Sequence, residues 1–335
     1  MRQSVVNEQL DEMDVHPPNI YQNFVDICAT SAYELLDQSD DFVDLNFCPA
    51  CNSENIEHAF KKHGYEYCTC LSCSTIFISP RPSQSMLNWY LNESPTAAFR
   101  NSDEYWQGME IRINELINFR ARWISELCTR FALNSNGPIV DVETRLIGYL
   151  NELERLNLTP IISAKPLTTL RDNFDNTPEL INLDNSNARV VTAFDNLEHQ
   201  INPLDLVQAS YNTLSPGGLL IITTRSGSGF DIQVLWEHCS TIFPIEHINL
   251  ISIEGMKALL KRTGFEIIEI STPGQIDVQM IERVLNEGVD IEIPRFLRYF
   301  FTHRDKYAKH RLQQFLQENL LSSYMRVVAR KVIEK

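Results

Sequence analysis

Four cysteines of the chain have the spacing of metal ligands. Cys48 and Cys51 form one C-x2-C pair, and eighteen residues separate it from a second pair, Cys70 and Cys73. Each pair can present two thiolates from a tight turn, and four thiolates complete a tetrahedral zinc site with no position left for water or substrate. The spacing therefore predicts a structural zinc ion, which would organise a segment that has few apolar residues of its own.

Two alternatives to this ligand set remain open at the level of the sequence. Cys68 lies two residues before Cys70 and could replace it, although Cys70 reproduces the spacing of the first pair. The second alternative is a set of unpaired thiols. Five of the eight cysteines fall between Cys48 and Cys73, and such clustering in a reducing compartment favours a metal site over a disulfide framework.

The pattern of apolar and turn residues divides the chain into four regions. Residues 1–46 have apolar residues at helical spacing behind a Pro-Pro pair, and they predict a helical lead-in. Residues 47–82 have short β-like runs and tight turns, and they predict a small zinc ribbon that holds the cysteines. Residues 83–136 predict a helical connector, and residues 137–335 form the larger domain.

Strand and helix patterns alternate in this larger domain. Runs such as PIVDV, ARVVTAF and GGLLIITT predict strands, and segments such as IGYLNELERL and SIEGMKALLKRTG predict helices. The alternation predicts an α/β domain in which a mainly parallel sheet is covered by helices on both faces. Residues 277–321 predict a helical C-terminal part, and the run MRVVARKV is expected to close the sheet as an edge strand.

The composition limits the partners of the protein. The formal net charge is −15, and so acidic a surface repels a phosphate backbone, which predicts no nucleic-acid partner. The chain shows neither a secretory leader nor an apolar run of about 20 residues, which predicts a cytoplasmic protein without a membrane partner.

Basic residues concentrate in the C-terminal tail. From Pro294 to Lys335 the chain has ten Lys and Arg residues against three Asp and Glu residues, compared with 19 against 41 in residues 1–293. Two interpretations follow from this distribution. The tail docks on the acidic body of the protein, or it supplies a phosphate or diphosphate site for a substrate.

Five segments in a fixed order give the chain a resemblance to a known family. They are the CPAC…CLSC ribbon ending in FISPRP, VVTAFDNLEH at 190–199, LSPGGLLIITT at 214–224, FPIEHINLIS at 243–252 and LLKRTGFEIIEISTPGQID at 259–277. With them the chain resembles class I S-adenosylmethionine-dependent methyltransferases that carry an N-terminal zinc ribbon and are related to sugar C-methyltransferases. The resemblance implies a Rossmann-like fold, S-adenosylmethionine as the methyl donor, and a nucleotide-linked keto sugar of surface polysaccharide biosynthesis as the substrate.

The resemblance also implies which residues act on the substrate. A Pro-x-Glu-His run lines the substrate pocket of the family, and here it contains Glu246 and His247. In the related sugar enzymes a histidine in this neighbourhood takes a proton from the carbon next to a ketone, and the resulting enolate attacks the methyl group. His247 would be that base, because an imidazole accepts a proton at neutral pH. A hydrogen-bonded structural histidine is the alternative.

Five positions correspond to the parts of the family that hold the cofactor. They are Asp141 and Glu143 after the first strand, Lys165 after the second, and Asp195 and His199 after the fourth. The glycine-rich loop of the family is missing, because Glu143 is followed by Thr, Arg, Leu and Ile. Lys165 stands where the family has an acidic residue for the ribose, and an ammonium donates hydrogen bonds but does not accept them.

These departures leave three functions to distinguish. The first is an S-adenosylmethionine-dependent C-methyltransferase acting on a nucleotide-linked keto sugar. The second is a noncatalytic methyltransferase-like protein that binds a sugar nucleotide or a partner enzyme. The third is a different reaction that uses Glu143, Arg145, Lys165 and His247.

Overall fold

The computed structural model describes most of the chain. The described residues are 2–3, 17–38, 41–131, 133, 137–142, 148–163 and 187–333. The described helices, α1 to α12 in chain order, are Pro18–Gln38, Gln84–Asn92, Pro95–Arg100, Asp103–Gly108, Glu110–Arg130, Gly148–Arg155, Pro203–Thr213, Phe230–Leu235, Ile253–Arg262, Asp277–Asn286, Arg295–His303 and Lys306–Glu318. The described strands, β1 to β13, are Arg2–Gln3, Phe42–Val43, Ile56–Lys62, Tyr65–Cys70, Ile76–Ile78, Arg81–Pro82, Ile139–Asp141, Ile161–Ser163, Ala188–Phe194, Leu214–Arg225, Asn249–Leu250, Phe265–Ser271 and Tyr324–Lys331.

The larger part of the molecule is an α/β fold built on a mostly parallel, Rossmann-like sheet. Seven of the described strands pair in the order β1-β12-β13-β10-β9-β7-β8. Every neighbouring pair is parallel except the two that involve β13, which runs antiparallel to both β10 and β12. β13 therefore lies inside the sheet, and the sequence-based prediction of a closing edge strand was wrong.

Helices cover both faces of this sheet because successive residues of a strand point to opposite sides. On β10, Leu220 and Ile222 belong to the core cluster that includes Leu206 of α7 and Met256 of α9. Leu219 and Ile221 of the same strand belong to the opposite cluster, with residues of α5 and α6. Burial on both faces explains why these strands read as continuous apolar runs.

The cysteine-rich segment forms a second, antiparallel sheet in the order β11-β5-β4-β3. Its first strand, β11, comes from the larger part of the chain and pairs with β5 through Asn249 and Leu250. The ribbon and the α/β domain therefore share a sheet as well as a core, since Cys48, Cys70 and Cys73 pack in the same cluster as the α/β strands.

Arg81 and Asn249 link the ribbon segment to the Leu-Glu-His turn of the α/β domain. The Arg81 side chain is buried and donates hydrogen bonds to the carbonyl of Ile201 and to Asn249 Oδ1, the latter at 3.1 Å. Asn249 Nδ2 donates to the carbonyls of Leu197 and Gln200, at 3.1 and 2.7 Å. One buried amide therefore connects the end of the ribbon to the Leu-Glu-His turn.

We predict that Asn249→Ala lowers the free energy of unfolding by about 3 kcal/mol, because it leaves a buried guanidinium and two carbonyls without their partner. Urea unfolding followed by circular dichroism measures this loss. Asn212→Ala is the matched control, since Asn212 makes its side-chain hydrogen bond on the exposed surface. Equal stability of the two variants would contradict the linking role of Asn249.

Candidate active site and metal centre

The four cysteines of the predicted zinc site converge in the structure. Their Sγ atoms all lie within 4.8 Å of one another. Cys48 and Cys73 are 3.6 Å apart, and Cys51 and Cys70 are 3.5 Å apart, close to the separation of about 3.8 Å that tetrahedral zinc–thiolate geometry requires. The donor set fits zinc, and zinc binding itself remains a prediction.

The two pairs are presented by matching turns. The amide of Asn52 donates to the carbonyl of Cys48 at 2.9 Å, and the amide of Ser74 donates to the carbonyl of Cys70 at 2.7 Å. Asn52 and Ser74 each follow the second cysteine of a pair, and both have positive φ, 64° and 61°. The same backbone turn is thus used twice, as expected for two knuckles that share one ion.

Cys68 lies apart from this group. Its Sγ is 3.9 Å from the carbonyl of Ser79, and it is absent from the cluster of four among the described residues. The structure therefore favours Cys70 as the ligand over Cys68.

We predict that Cys51→Ser loses most of its zinc after dialysis against a chelator, whereas the matched variant Cys68→Ser retains about one zinc per chain. Metal content is measured by inductively coupled plasma mass spectrometry on the purified full chain. A metal bound by these four cysteines would organise the shared sheet, so only the Cys51 variant should also unfold at a lower urea concentration. Loss of zinc in both variants would contradict the assigned ligand set.

A cavity of about 420 Å³ opens at the carboxyl ends of β9 and β10, the edge at which open α/β sheets bind ligands. Its walls come from α1, α3 and α5, from the Pro-x-Glu-His turn and from the loop before α10. Six described arginines line it: Arg100, Arg112, Arg120, Arg122, Arg225 and Arg326. Four carboxylates line it as well: Glu115, Asp195, Glu198 and Glu246. The wall is thus more basic than acidic, although the whole chain is strongly acidic.

His199, Glu246 and His247 all line this cavity. The resemblance implied a place beside the cofactor for His199 and a place in the substrate pocket for Glu246 and His247. His199 Nδ1 lies 3.9 Å from Glu246 Oε2, and Glu246 Oε1 lies 2.6 Å from Arg100 Nη1. The two imidazole rings are 6.3 Å apart and nearly parallel. A carboxylate held by an arginine is thus placed beside one of two neighbouring histidines.

The protonation of His247 is constrained by a backbone amide. The N–H of Phe243 donates to His247 Nδ1 at 3.0 Å, so a neutral His247 carries its proton on Nε2. Burial first, and then the charges of Arg225 and His199, lower the pKa of His247 well below its ordinary value. His247 is therefore held neutral and as a donor through Nε2.

Ile245, which lies between Phe243 and His247 in the sequence, has a backbone conformation that is rare for a β-branched residue. Its φ is 74°, and β-branched residues almost never adopt positive φ. Such strain costs about 1–3 kcal/mol and persists where the surroundings fix it. Here the buried Ile245 side chain packs in the core, and Tyr67 of the ribbon donates from its hydroxyl to the carbonyl of His247 at 3.2 Å.

Glu198 is a buried carboxyl group beside the cavity. Thr224 Oγ1 donates to its Oε2 at 2.7 Å. Burial, with a contribution from the charge of Asp195, raises the pKa of Glu198 to about 8. At neutral pH this carboxyl is thus mainly protonated, which makes the cavity wall still more basic.

Two of the residues expected beside the cofactor have their carboxylates engaged within the protein. Asp141 is buried and accepts hydrogen bonds from the hydroxyls of Tyr149 and Thr192. Asp195 pairs with Arg120, whose guanidinium also lies 4.6 Å from the ring of Phe194. Glu143 and Lys165 lie outside the described residues, as does Arg145.

S-adenosylmethionine offers an ammonium and two ribose hydroxyls as donors, and its sulfonium is positive. At this edge of the sheet the described residues offer the guanidinium of Arg120 and the carboxylates of Asp141 and Asp195, which already have partners within the protein. The fit to the cofactor is therefore poor within the described residues.

Sequence reasoning missed the arginines supplied by the helical connector. Arg112 and Arg120 lie on either side of Leu116 at four-residue spacing along α5, and all three line the cavity. Cations in the inward-facing stripe of an amphipathic helix are unusual. The position of these two arginines along the helix was the sequence feature that could have indicated a charged cavity.

We predict that wild-type protein loses stability relative to Glu198→Gln by about 2–4 kcal/mol as the pH rises from about 5 to about 8. A carboxyl whose pKa is raised on folding stabilises the native state at low pH, and that contribution is lost as the pH passes through its folded pKa. Urea unfolding across this pH range measures the difference. Glu115→Gln, an exposed position on the same cavity, controls for the removed charge. Parallel pH profiles for wild type and Glu198→Gln would contradict the burial of a neutral Glu198.

Comparisons with known proteins agree with this architecture. A family model for a methyltransferase domain matches residues 116–270. No curated protein matches the chain. Among solved structures, the chain is similar to a proposed sarcosine dimethylglycine methyltransferase from Galdieria sulphuraria, with 13% identity over 66% of this chain and 88% of that one and a TM-score of 0.40.

Two further structures are similar to a comparable extent. A geranyl diphosphate C-methyltransferase from Streptomyces coelicolor A3(2) shares 12% identity over 69% of this chain and 85% of that one, with a TM-score of 0.39. A SAM dependent methyltransferase from Archaeoglobus fulgidus shares 12% identity over 63% of this chain and 94% of that one, with a TM-score of 0.37. Residues 116–270, which hold most of the central strands, are therefore methyltransferase-like.

Proposed function

We propose that this methyltransferase-like protein binds a nucleotide-linked keto sugar of surface polysaccharide biosynthesis and removes a proton from the carbon next to the ketone. The observation that carries the proposal is the combination in one cavity of a histidine–carboxylate pair with six arginines. The pair supplies proton chemistry, and the arginines supply charge complementarity for a diphosphate.

His199 is the proton acceptor in this proposal, in place of His247, for which the resemblance implied that role. The carboxylate of Glu246 faces Nδ1 of His199, which favours the tautomer with the proton on Nδ1 and leaves Nε2 with its lone pair. Glu246 also stabilises the imidazolium that forms when the proton is taken. Arg100 pairs with Glu246 and holds its carboxylate in place.

His247 acts as a hydrogen-bond donor in the same step. Because Phe243 occupies its Nδ1, His247 offers the N–H of Nε2 to the ketone oxygen, on which negative charge develops as the enolate forms. Its lowered pKa keeps it neutral, so the donor does not take up a second proton near pH 7. The two histidines thus have complementary roles.

A second candidate function is noncatalytic binding of a sugar nucleotide or a partner enzyme. The Arg120–Asp195 ion pair favours this function, because Asp195 already has a partner within the protein. The pair also places the cation of Arg120 at the edge of the sheet where a cationic methyl donor is expected. Methyl transfer from S-adenosylmethionine would complete the first function, so binding of the cofactor has to be measured separately from proton removal.

We predict that wild-type protein in deuterium oxide exchanges the proton next to the ketone of thymidine diphosphate 4-keto-6-deoxyglucose, read by proton NMR, at least about tenfold faster than buffer. His199→Gln should reduce exchange to the buffer rate. His247→Gln, which keeps an N–H donor, should retain part of it. His58→Gln, at an exposed position, is the matched control and should exchange like wild type.

The remaining outcomes separate the candidate functions. Isothermal titration of wild-type protein with S-adenosylmethionine and S-adenosylhomocysteine decides whether a methyl donor binds. Binding of the sugar nucleotide without exchange would favour the noncatalytic function. If the protein neither binds the sugar nucleotide nor exchanges its proton, the proposal is refuted. Exchange that survives in His199→Gln but is lost in His247→Gln would reverse the roles of the two histidines.

A further inference from the structure

The helices α11 and α12 carry exposed aromatic residues beside exposed cations. Phe296, Tyr299 and Tyr307 are 73%, 53% and 71% exposed. Large aromatic side chains are rarely left so open to water unless another surface covers them. We define residues 295–311 as the basic aromatic surface.

Each helix has one exposed face and one buried face. On α11, Arg295, Arg298 and Tyr299 are exposed at helical spacing, whereas Phe301 is buried. On α12, Tyr307, Arg311 and Phe315 lie four residues apart and are all exposed, whereas Gln313, Leu316 and Gln317 are buried. These aromatic and basic residues therefore share the outward faces of the two helices.

Side chains at the end of α11 pack against one another. The Arg304 guanidinium, in the turn between α11 and α12, donates to the Tyr299 hydroxyl at 2.9 Å and lies 5.2 Å from the centre of the Tyr299 ring. Tyr299 in turn packs against His303 at 4.6 Å. These contacts hold Tyr299, His303 and Arg304 together at the end of α11, immediately before α12 begins.

The charge of this surface opposes that of the remaining chain. Residues 295–311 contain six Lys and Arg residues and one acidic residue, Asp305, so the other residues contain 23 basic and 43 acidic ones. The carboxylate of Asp305 caps α12 by accepting a hydrogen bond from the amide of Ala308 at 2.9 Å. A concentrated positive surface on an acidic protein selects an anionic partner.

A second copy of the chain does not suit this surface. A two-fold interface would place the same patch of each copy against the other, and here both patches are positive. Cations beside exposed aromatic side chains on a helix face are instead the arrangement that lies in the interface of an anionic bilayer, with rings among the acyl boundary and cations at the headgroups.

We propose that the basic aromatic surface binds anionic lipid membranes peripherally. No described helix is long and apolar enough to cross a bilayer, and a peripheral contact requires none. The inference departs from the sequence-based expectation of no membrane partner, which rested on the lack of a spanning segment. It is independent of the function proposed for the cavity.

Flotation of the full chain with lipid vesicles tests the proposal. We expect binding to phosphatidylcholine vesicles that contain about 30% phosphatidylglycerol, weak binding to pure phosphatidylcholine, and a fall in binding as salt is raised. The triple variant Phe296→Ser, Tyr299→Ser, Tyr307→Ser and the double variant Arg295→Glu, Lys306→Glu should each bind at least tenfold less. Lys61→Glu, Lys257→Glu changes the net charge equally on other exposed positions, and it should bind like wild type.

The control measurements keep the result decisive. Circular dichroism and urea unfolding establish that each variant is folded as wild type. Equal binding to neutral and anionic vesicles, no flotation at low salt, or an equal loss in the Lys61 and Lys257 control would each overturn the proposal. So would binding of a single-stranded oligonucleotide that displaces the vesicles, because it would make a nucleic acid the partner of the surface.

Discussion

The hydrogen bond between the buried guanidinium of Arg81 and the side chain of Asn249 is the constraint on which the candidate site depends. A charge removed from water must keep its hydrogen-bond partners, and Arg81 has them in Asn249 and the carbonyl of Ile201. Asn249 then fixes the carbonyls on either side of His199, at Leu197 and Gln200, and it lies two residues after His247. The relation of the two imidazoles is therefore set by one buried network.

This network makes the cysteine-rich ribbon part of the site. β5 of the ribbon pairs with β11, and the hydroxyl of Tyr67 in β4 holds the carbonyl of His247. On the far side, Ser252 donates to the carbonyl of Cys73 and its hydroxyl lies 3.3 Å from that of Thr75. A metal held by the four cysteines would therefore stabilise the strand that positions the histidines. The ribbon's function is best understood as support of the cavity.

The sequence could predict features that depend on local spacing and could not predict those that depend on distant contacts. The two C-x2-C pairs and the alternation of strands and helices are local patterns, and the structure brings the four cysteines together in an α/β fold. Whether β13 lies at the edge or inside the sheet depends on its pairing with strands far away in the chain. The tautomer of His247 could not be predicted either, because it depends on the Phe243 amide, which only the fold of the turn brings to the ring.

The charged side chains of the cavity determine which charge a bound ligand can carry. Arg120 neutralises Asp195 and Arg100 neutralises Glu246, while burial and the raised pKa of Glu198 remove a third negative charge at neutral pH. Arg326, which stacks 3.6 Å from the ring of Phe119, adds a cation from the C-terminal tail, so part of that tail serves the cavity. A ligand with negative charge gains from every one of these arrangements, whereas a cationic ligand would have to displace an arginine from its carboxylate. An anionic substrate is therefore easier to reconcile with the described residues than the cationic methyl donor.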